Sequence, residues 1–187
     1  MTQEQATEEL QPGKDVYNAE QWIKKRIFVR ELARKYGEIY RGLLEQPRVF
    51  KSKNLSFKGG PMFFHKSVIN PQSASVTQTI ETHIDVLAPG GYGQKHCHMN
   101  SAVMYVLEGK GYDVHGGVRH DWEAGDAAIV ENACVHQHFN DDNSRPARYV
   151  IFKAKPLFLF FNLLHQMNVT YPPVEPQPGW ENFKPED

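Results

Sequence analysis

Glycine recurs as punctuation between Pro89 and Asp126, at Gly90-Gly91, Gly93, Gly109, Gly111, Gly116-Gly117 and Gly125, and the pieces between read as short strands. Tyr112 to Val114, Arg119 to Trp122 and Ala127 to Val130 are such pieces. Short strands at regular spacing, joined by Gly-rich turns, favour an all-β barrel or sandwich over a parallel sheet. Two histidine pairs frame this region, His96-Cys97-His98 and His136-Gln137-His138. Side chains two apart on a strand share a face and lie roughly 6.5 to 7 Å apart along it. Two imidazoles so placed can meet on one ion, and the strands between the pairs fold one pair back opposite the other.

The chain of 187 residues fits one domain with appended ends. Its 21 basic and 22 acidic residues nearly balance, which argues against nucleic acid or an anionic membrane surface as partner. The longest strongly apolar run, Leu157 to Leu164, includes Asn162 and falls short of the roughly 20 residues of a spanning helix. The polar, acidic start from Met1 to Lys14 is unlike a signal peptide. A soluble, cytoplasmic protein is expected. Cys97 and Cys134 lack paired spacing and read as free thiols.

Residues 1–14 read as a flexible arm. Residues 15–75 form a helical and extended segment expected to pack on the barrel. Trp22, Ile23, Ile27, Phe28, Leu32, Tyr36 and Ile39 recur there at helical spacing, and Pro47, Gly59-Gly60-Pro61 and Pro71 then break the chain into short pieces. His65, with no partner at ligand spacing, reads as a hydrogen-bonded structural residue. Residues 76–156 form the barrel. Its first strand, Val76 to Leu87, puts Thr82, Ile84 and Val86 on one face and His83, Asp85 and Leu87 on the other. His115 and His120 fall on hairpin ends and are expected in solvent. Residues 157–187 comprise an apolar segment, expected to cross the barrel or form a homodimer interface, and a Pro-rich tail that wraps a neighbour or stays mobile.

The run from Gly91 to Gly109, with His96, His98 and Val106-Leu107-Glu108-Gly109, resembles the first cupin motif, and Gly125-Asp126 through His136 and Asn140 resembles the second. The resemblance implies a cupin fold, a double-stranded β-helix or jelly-roll barrel. The acidic residue that usually follows the second histidine of the first motif is replaced by Ala102 and Val103. The wording His-x-His-x-x-Ser-Ala, then Leu-Glu-Gly-Lys-Gly, then His-x-His-x-Asn is similar to the three-histidine gentisate dioxygenase branch. Its members carry two cupin domains in a longer chain and open the rings of hydroxylated aromatic acids with iron and oxygen. Val135 and Phe139 depart from the usual Trp and Gly around the second pair.

By that resemblance His96, His98 and His136 are the metal ligands. Three neutral imidazoles leave open positions for a chelating substrate and a small molecule, and the ion keeps its full double charge. An anionic hydroxy-carboxylate is therefore the expected partner. The ion expected is Fe(II), though such a donor set also accepts Zn, Mn, Ni or Cu. His138 is either a fourth ligand or, on the Asn140 register, a proton-transfer group beside the ion. Gln94 and Asn140 are candidate substrate contacts, and Arg148 or Lys153 a candidate carboxylate partner. The alternatives to a dioxygenase are a non-oxidative metal-dependent decarboxylase, lyase or isomerase, and a non-catalytic small-molecule binder.

Overall fold

A computed structural model of the chain describes residues 41–70 and 79–186. The arm expected at 1–14 and nearly all of the helical periodicity expected from Asp15 onward lie outside the described residues. Among the described residues, helical residues 41–44 and a 3-10 turn (Ser52–Asn54) precede eleven strands and one short α-helix. They are β1 (Lys58–Gly59), β2 (Phe63–Ile69), β3 (Glu81–Leu87), β4 (His96–His98), β5 (Ala102–Glu108) and β6 (Lys110–His115). Then come β7 (Val118–Glu123), β8 (Ala127–Val130), β9 (His136–Asn140), β10 (Ala147–Lys153), α1 (Lys155–Phe160) and β11 (Gln166–Asn168). Among the described residues no helix is long and apolar enough to cross a membrane.

The strands form two antiparallel sheets, one ordered β1-β2-β3-β10-β5-β8 and the other β11-β4-β9-β6-β7. This is the all-β fold that the glycine-punctuated pattern implies, in the jelly-roll form that the cupin resemblance implies. The turn between β6 and β7 shows why glycine sits where it does. His115 pairs with Val118 across a two-residue loop, and Gly116 and Gly117 both take positive φ, as the mirror-image turns that match strand twist require. The large sheet also takes in β1 and β2, so residues 58–69 are strands of it.

Strict alternation decides which side chains enter the interior. On β5, β9 and β10 every second residue is buried, the period of a half-buried strand. Leu87, Met104, Val106, Trp122, Val130, Ala147, Tyr149 and Ile151 make one core cluster, in which each fully buried large side chain contributes roughly 1.5–3 kcal/mol. Along each strand this inward row changes character. β3 runs from Leu87 back to Asp85 and His83, and β10 from Ala147, Tyr149 and Ile151 on to Lys153. The apolar core fills one end of the sandwich and a polar cavity opens at the other.

The C-terminal tail departs from expectation. The tail wraps its own barrel: Gln177 Nε2 donates to Gly90 O at 2.8 Å, Trp180 Nε1 to Asn143 O at 3.1 Å, and the Phe183 ring sits 5.7 Å from Phe64. The apolar run before it forms α1 and leaves Phe160, Phe161 and Leu163 largely exposed. Beyond α1, β11 adds an edge strand to β4, pairing Gln166 with His98 and Asn168 with His96.

Candidate metal centre

The register that closes the smaller sheet places His96 directly opposite His136, with His98 two residues along the same strand face. The rings of His96 and His136 have centroids 4.3 Å apart, and those of His98 and His136 4.9 Å. One ring nitrogen from each of His96, His98 and His136 lies within 4.8 Å of the others. The backbone fixes which nitrogen that is. Nδ1 of His96 donates to Gln94 O at 2.9 Å, Nδ1 of His98 to Asn100 O at 2.6 Å, and Nδ1 of His136 to Cys134 O at 3.0 Å. With Nδ1–H so engaged, each ring keeps an Nε2 lone pair to offer an ion.

Burial keeps these rings neutral. It holds the imidazoles of His96 and His98 down to about 4 and that of His136 down to about 2, while the backbone hydrogen bonds oppose it only in part. The donor set therefore fits a divalent first-row metal without first losing protons at neutral pH. The sign has a consequence for stability. A folded-state pKa below the ordinary 6.5 means the unfolded chain binds more protons, so stability present above pH 6.5 is lost as the pH falls toward 4. Metal-free protein should show urea midpoints that fall between pH 7.5 and pH 4.5. Histidine Cε1–H resonances should titrate near 4 for His96 and His98, and midpoints near 6.5 would contradict this.

His138 enters the interior from the same strand as His136 but is held apart. Its Nδ1 lies 2.7 Å from Asp113 Oδ1, which also accepts a hydrogen bond from Trp122 Nε1 at 2.9 Å. Burial works against a charged His138, yet the carboxylate of Asp113 outweighs it and raises the imidazole above the ordinary range. Asp113 in turn is held low: burial opposes its charge, and His138 overcomes that opposition. On the far side, Asp113 Oδ2 lies 3.5 Å from His115 Nε2, and His115 Nδ1 lies 2.8 Å from Glu131 Oε2. His115 is thus buried rather than solvent-facing, because β6 pairs with β9 and sets it against His136.

The imidazoles of His96, His98, His136 and His138 line a cavity of about 380 Å³ between the sheets, within the range of small-molecule sites. Facing them from the larger sheet are His65, His83, Asp85 and Lys153, and Phe63, Pro172 and Pro173 supply apolar wall. Burial lowers the Lys153 ammonium from its ordinary value, and Asp85 and Glu81 partly counter it. Gln94 reaches the cavity wall and donates to Thr170 O.

Two of the expected substrate contacts turn away from this space. Arg148 has the opposite parity to Lys153 on β10. Its guanidinium donates to Glu186 O at 2.9 Å and lies over the Phe57 ring. The Asn140 amide donates to Ala88 O at 2.9 Å and Arg145 O at 2.8 Å, tying two loops together. Asp85, His83, Asp113 and Lys153 share the polar interior, and of these only Lys153 stood out in the sequence. The alternating His83-x-Asp85 pair was the signal available for the first two. Cys97 and Cys134 are free, as their spacing implied.

Comparison with known proteins agrees with this architecture. The family described as Cupin domain matches residues 83–153. The chain is 28% identical over 116 residues to a 1-hydroxy-2-naphthoate 1,2-dioxygenase of Nocardioides sp. (strain KP7), a match covering 59% of this chain and 30% of that protein. The salicylate 1,2-dioxygenase of Pseudoaminobacter salicylatoxidans, solved as adducts with gentisate, superposes with a TM-score of 0.55 at 18% identity, over 73% of this chain and 36% of that one. The oxalate decarboxylase of Lactobacillus farciminis, solved as a formate complex, gives a TM-score of 0.57 at 18% identity, over 67% and 36%. The chain spans about a third of the length of these relatives. With two antiparallel sheets closed around inward histidines and a family match over the same strands, residues 83–153 are a cupin domain, and the chain is similar to hydroxynaphthoate and salicylate dioxygenases.

Proposed function

We propose that His96, His98 and His136 hold a divalent metal, Fe(II), and that the cavity opens the ring of a hydroxylated aromatic acid with dioxygen. The observation that carries this reading is the opposition of three neutral imidazoles on one wall to a lysine on the other. Lys153 is the one lysine or arginine among the described residues that line the cavity. The relatives support the same chemistry, since one is a hydroxynaphthoate dioxygenase and another is solved with gentisate.

A ferrous ion in this donor set supplies the redox chemistry and the charge that draws a chelating anion. The protein's own groups do the rest. The Lys153 ammonium takes the substrate carboxylate across the cavity from the imidazoles, and its burial strengthens that pairing by excluding water. Phe63, Pro172 and Pro173 offer the aromatic ring an apolar slot. His138, whose Nδ1 is fixed by Asp113, presents its other nitrogen to the interior and holds or moves the hydroxyl proton of the substrate.

The test is oxygen uptake by anaerobically iron-loaded protein given gentisate, salicylate or 1-hydroxy-2-naphthoate. Stoichiometric uptake with loss of the aromatic absorbance is expected for at least one. Turnover that persists without oxygen would replace this reading by a non-oxidative one, and ligand binding without any product would replace it by a sensor. For the active substrate Lys153→Met should raise KM by roughly 10- to 100-fold, the size of a lost charge-assisted hydrogen bond of about 1.5–3 kcal/mol.

A further inference from the structure

The larger sheet carries a second constellation with the same backbone design as the first. His96 and His98 stand two apart on β4 with His136 directly opposite His96 on β9. On the facing sheet, His83 and Asp85 stand two apart on β3, with His65 directly opposite Asp85 on β2. Each is a same-face pair completed by a cross-strand partner, so both project three ligating groups from one patch of sheet into one interior. Donor atoms of His65, His83 and Asp85 all lie within 4.8 Å of one another.

We propose that His65, His83 and Asp85 form a second divalent-metal site on the wall opposite the three imidazoles. Asp85 Oδ1 lies 2.8 Å from His65 Nδ1, and Asp85 Oδ2 lies 3.3 Å from His83 Nε2. Two donors bound at about 2.1 Å and at roughly right angles to each other sit about 3 Å apart, so these separations match the edges of a coordination polyhedron. Two imidazoles and a carboxylate are also the facial donor set that takes first-row divalent ions while leaving positions open.

Several features of the surroundings bear on occupancy. Asp85 is buried, and its charge is kept despite burial by His83 and His65, so the site has one fixed negative charge that the three-histidine site lacks. Lys153 faces the shared interior and opposes a cation at either cluster. The His65 side chain is 40% exposed, and a second hollow, lined by His65, Ser67, Asn70 and Glu81 and flanked by Lys153 and Lys155, reaches the cluster from outside. An ion can therefore enter without crossing the main cavity.

The experiment is a titration of the metal-free chain with Co²⁺ alone, counting bound ions by equilibrium dialysis and following the visible absorption of coordinated cobalt. Counts are read as differences between variants, so that ions held elsewhere on the surface cancel. His65→Ala and Asp85→Asn should each bind one ion fewer than the wild type and keep the spectrum of the three-histidine site. His136→Ala should also bind one fewer and keep the other spectrum. The exposure of His65 makes His65→Ala the safer fold, and circular dichroism verifies both. Unchanged cobalt counts in His65→Ala and Asp85→Asn overturn the second site and leave the first standing. A loss confined to those two variants, with His136→Ala unchanged, sinks the three-histidine site and keeps this one.

Discussion

Replacing His136 by alanine should abolish specific metal binding at the three-imidazole site and, with it, any turnover. A structural zinc bound by four side chains is worth about 10–16 kcal/mol, or roughly 3 kcal/mol per ligand, and a loss of that size weakens affinity by at least about 100-fold. The loss should be at the upper end here because only three side chains share the ion. His136 is also the ring both others face, at 4.3 Å from His96 and 4.9 Å from His98. His138→Ala, which removes a ring tied to Asp113, should reduce affinity far less. Chelator competition with Zn²⁺ measures both. Thermal unfolding gives a second readout, since a ligand that binds only the native state raises Tm by mass action. The wild type should gain more stability with added metal than His136→Ala, which keeps only what the His65, His83 and Asp85 cluster supplies. A His136→Ala chain that keeps the full wild-type rise in Tm and competes for Zn²⁺ as well as the wild type does would remove the foundation of the proposed function.

The cupin fold and the three-histidine cluster were legible in the sequence for a specific physical reason. Alternation is a local signal, and it survived even the break between β4 and β5: His98, Asn100, Ala102, Met104 and Val106 are all buried, as counting by twos implied. Glycine pairs marked the hairpins. What was hidden depended on pairing between distant strands. His65 and Asp85 are twenty residues apart, and nothing in either strand's own pattern says that β2 pairs with β3 in the register that sets them face to face. His115 sat beside a glycine turn and looked exposed, but β6 is an inner strand of its sheet, between β9 and β7. Arg148 and Lys153 differ in parity, so one of them had to point inward. Only the burial of Ala147, Tyr149 and Ile151 reveals that it is Lys153.

The largest expected stability effect belongs to a residue that touches neither cluster's metal. Asp113→Ala should destabilise the chain by about 3–5 kcal/mol, the cost of stranding the partner of a buried ion pair. Asp113 sits mid-strand on β6, almost completely buried, and its Oδ1 accepts from both Trp122 Nε1 and His138 Nδ1. Alanine leaves the indole N–H without an acceptor in the core and forces a buried imidazole to shed its proton. At roughly 2–4 °C per kcal/mol for a chain of this size, Tm should fall by roughly 6–20 °C. Asp113→Asn keeps the shape and an oxygen for Trp122, and it should cost less while lowering the His138 titration, since burial then acts on the imidazole without the opposing carboxylate. Linkage gives the difference a direction with pH. Because the folded chain raises the His138 pKa, the ion pair contributes fully below the unfolded value near 6.5 and its contribution disappears as the pH rises through the folded one. The gap between wild type and Asp113→Asn in urea unfolding should therefore be wide at pH 6 and narrow at pH 9. A gap that is constant or widens with pH would mean that Asp113 holds a neutral imidazole by hydrogen bonding alone.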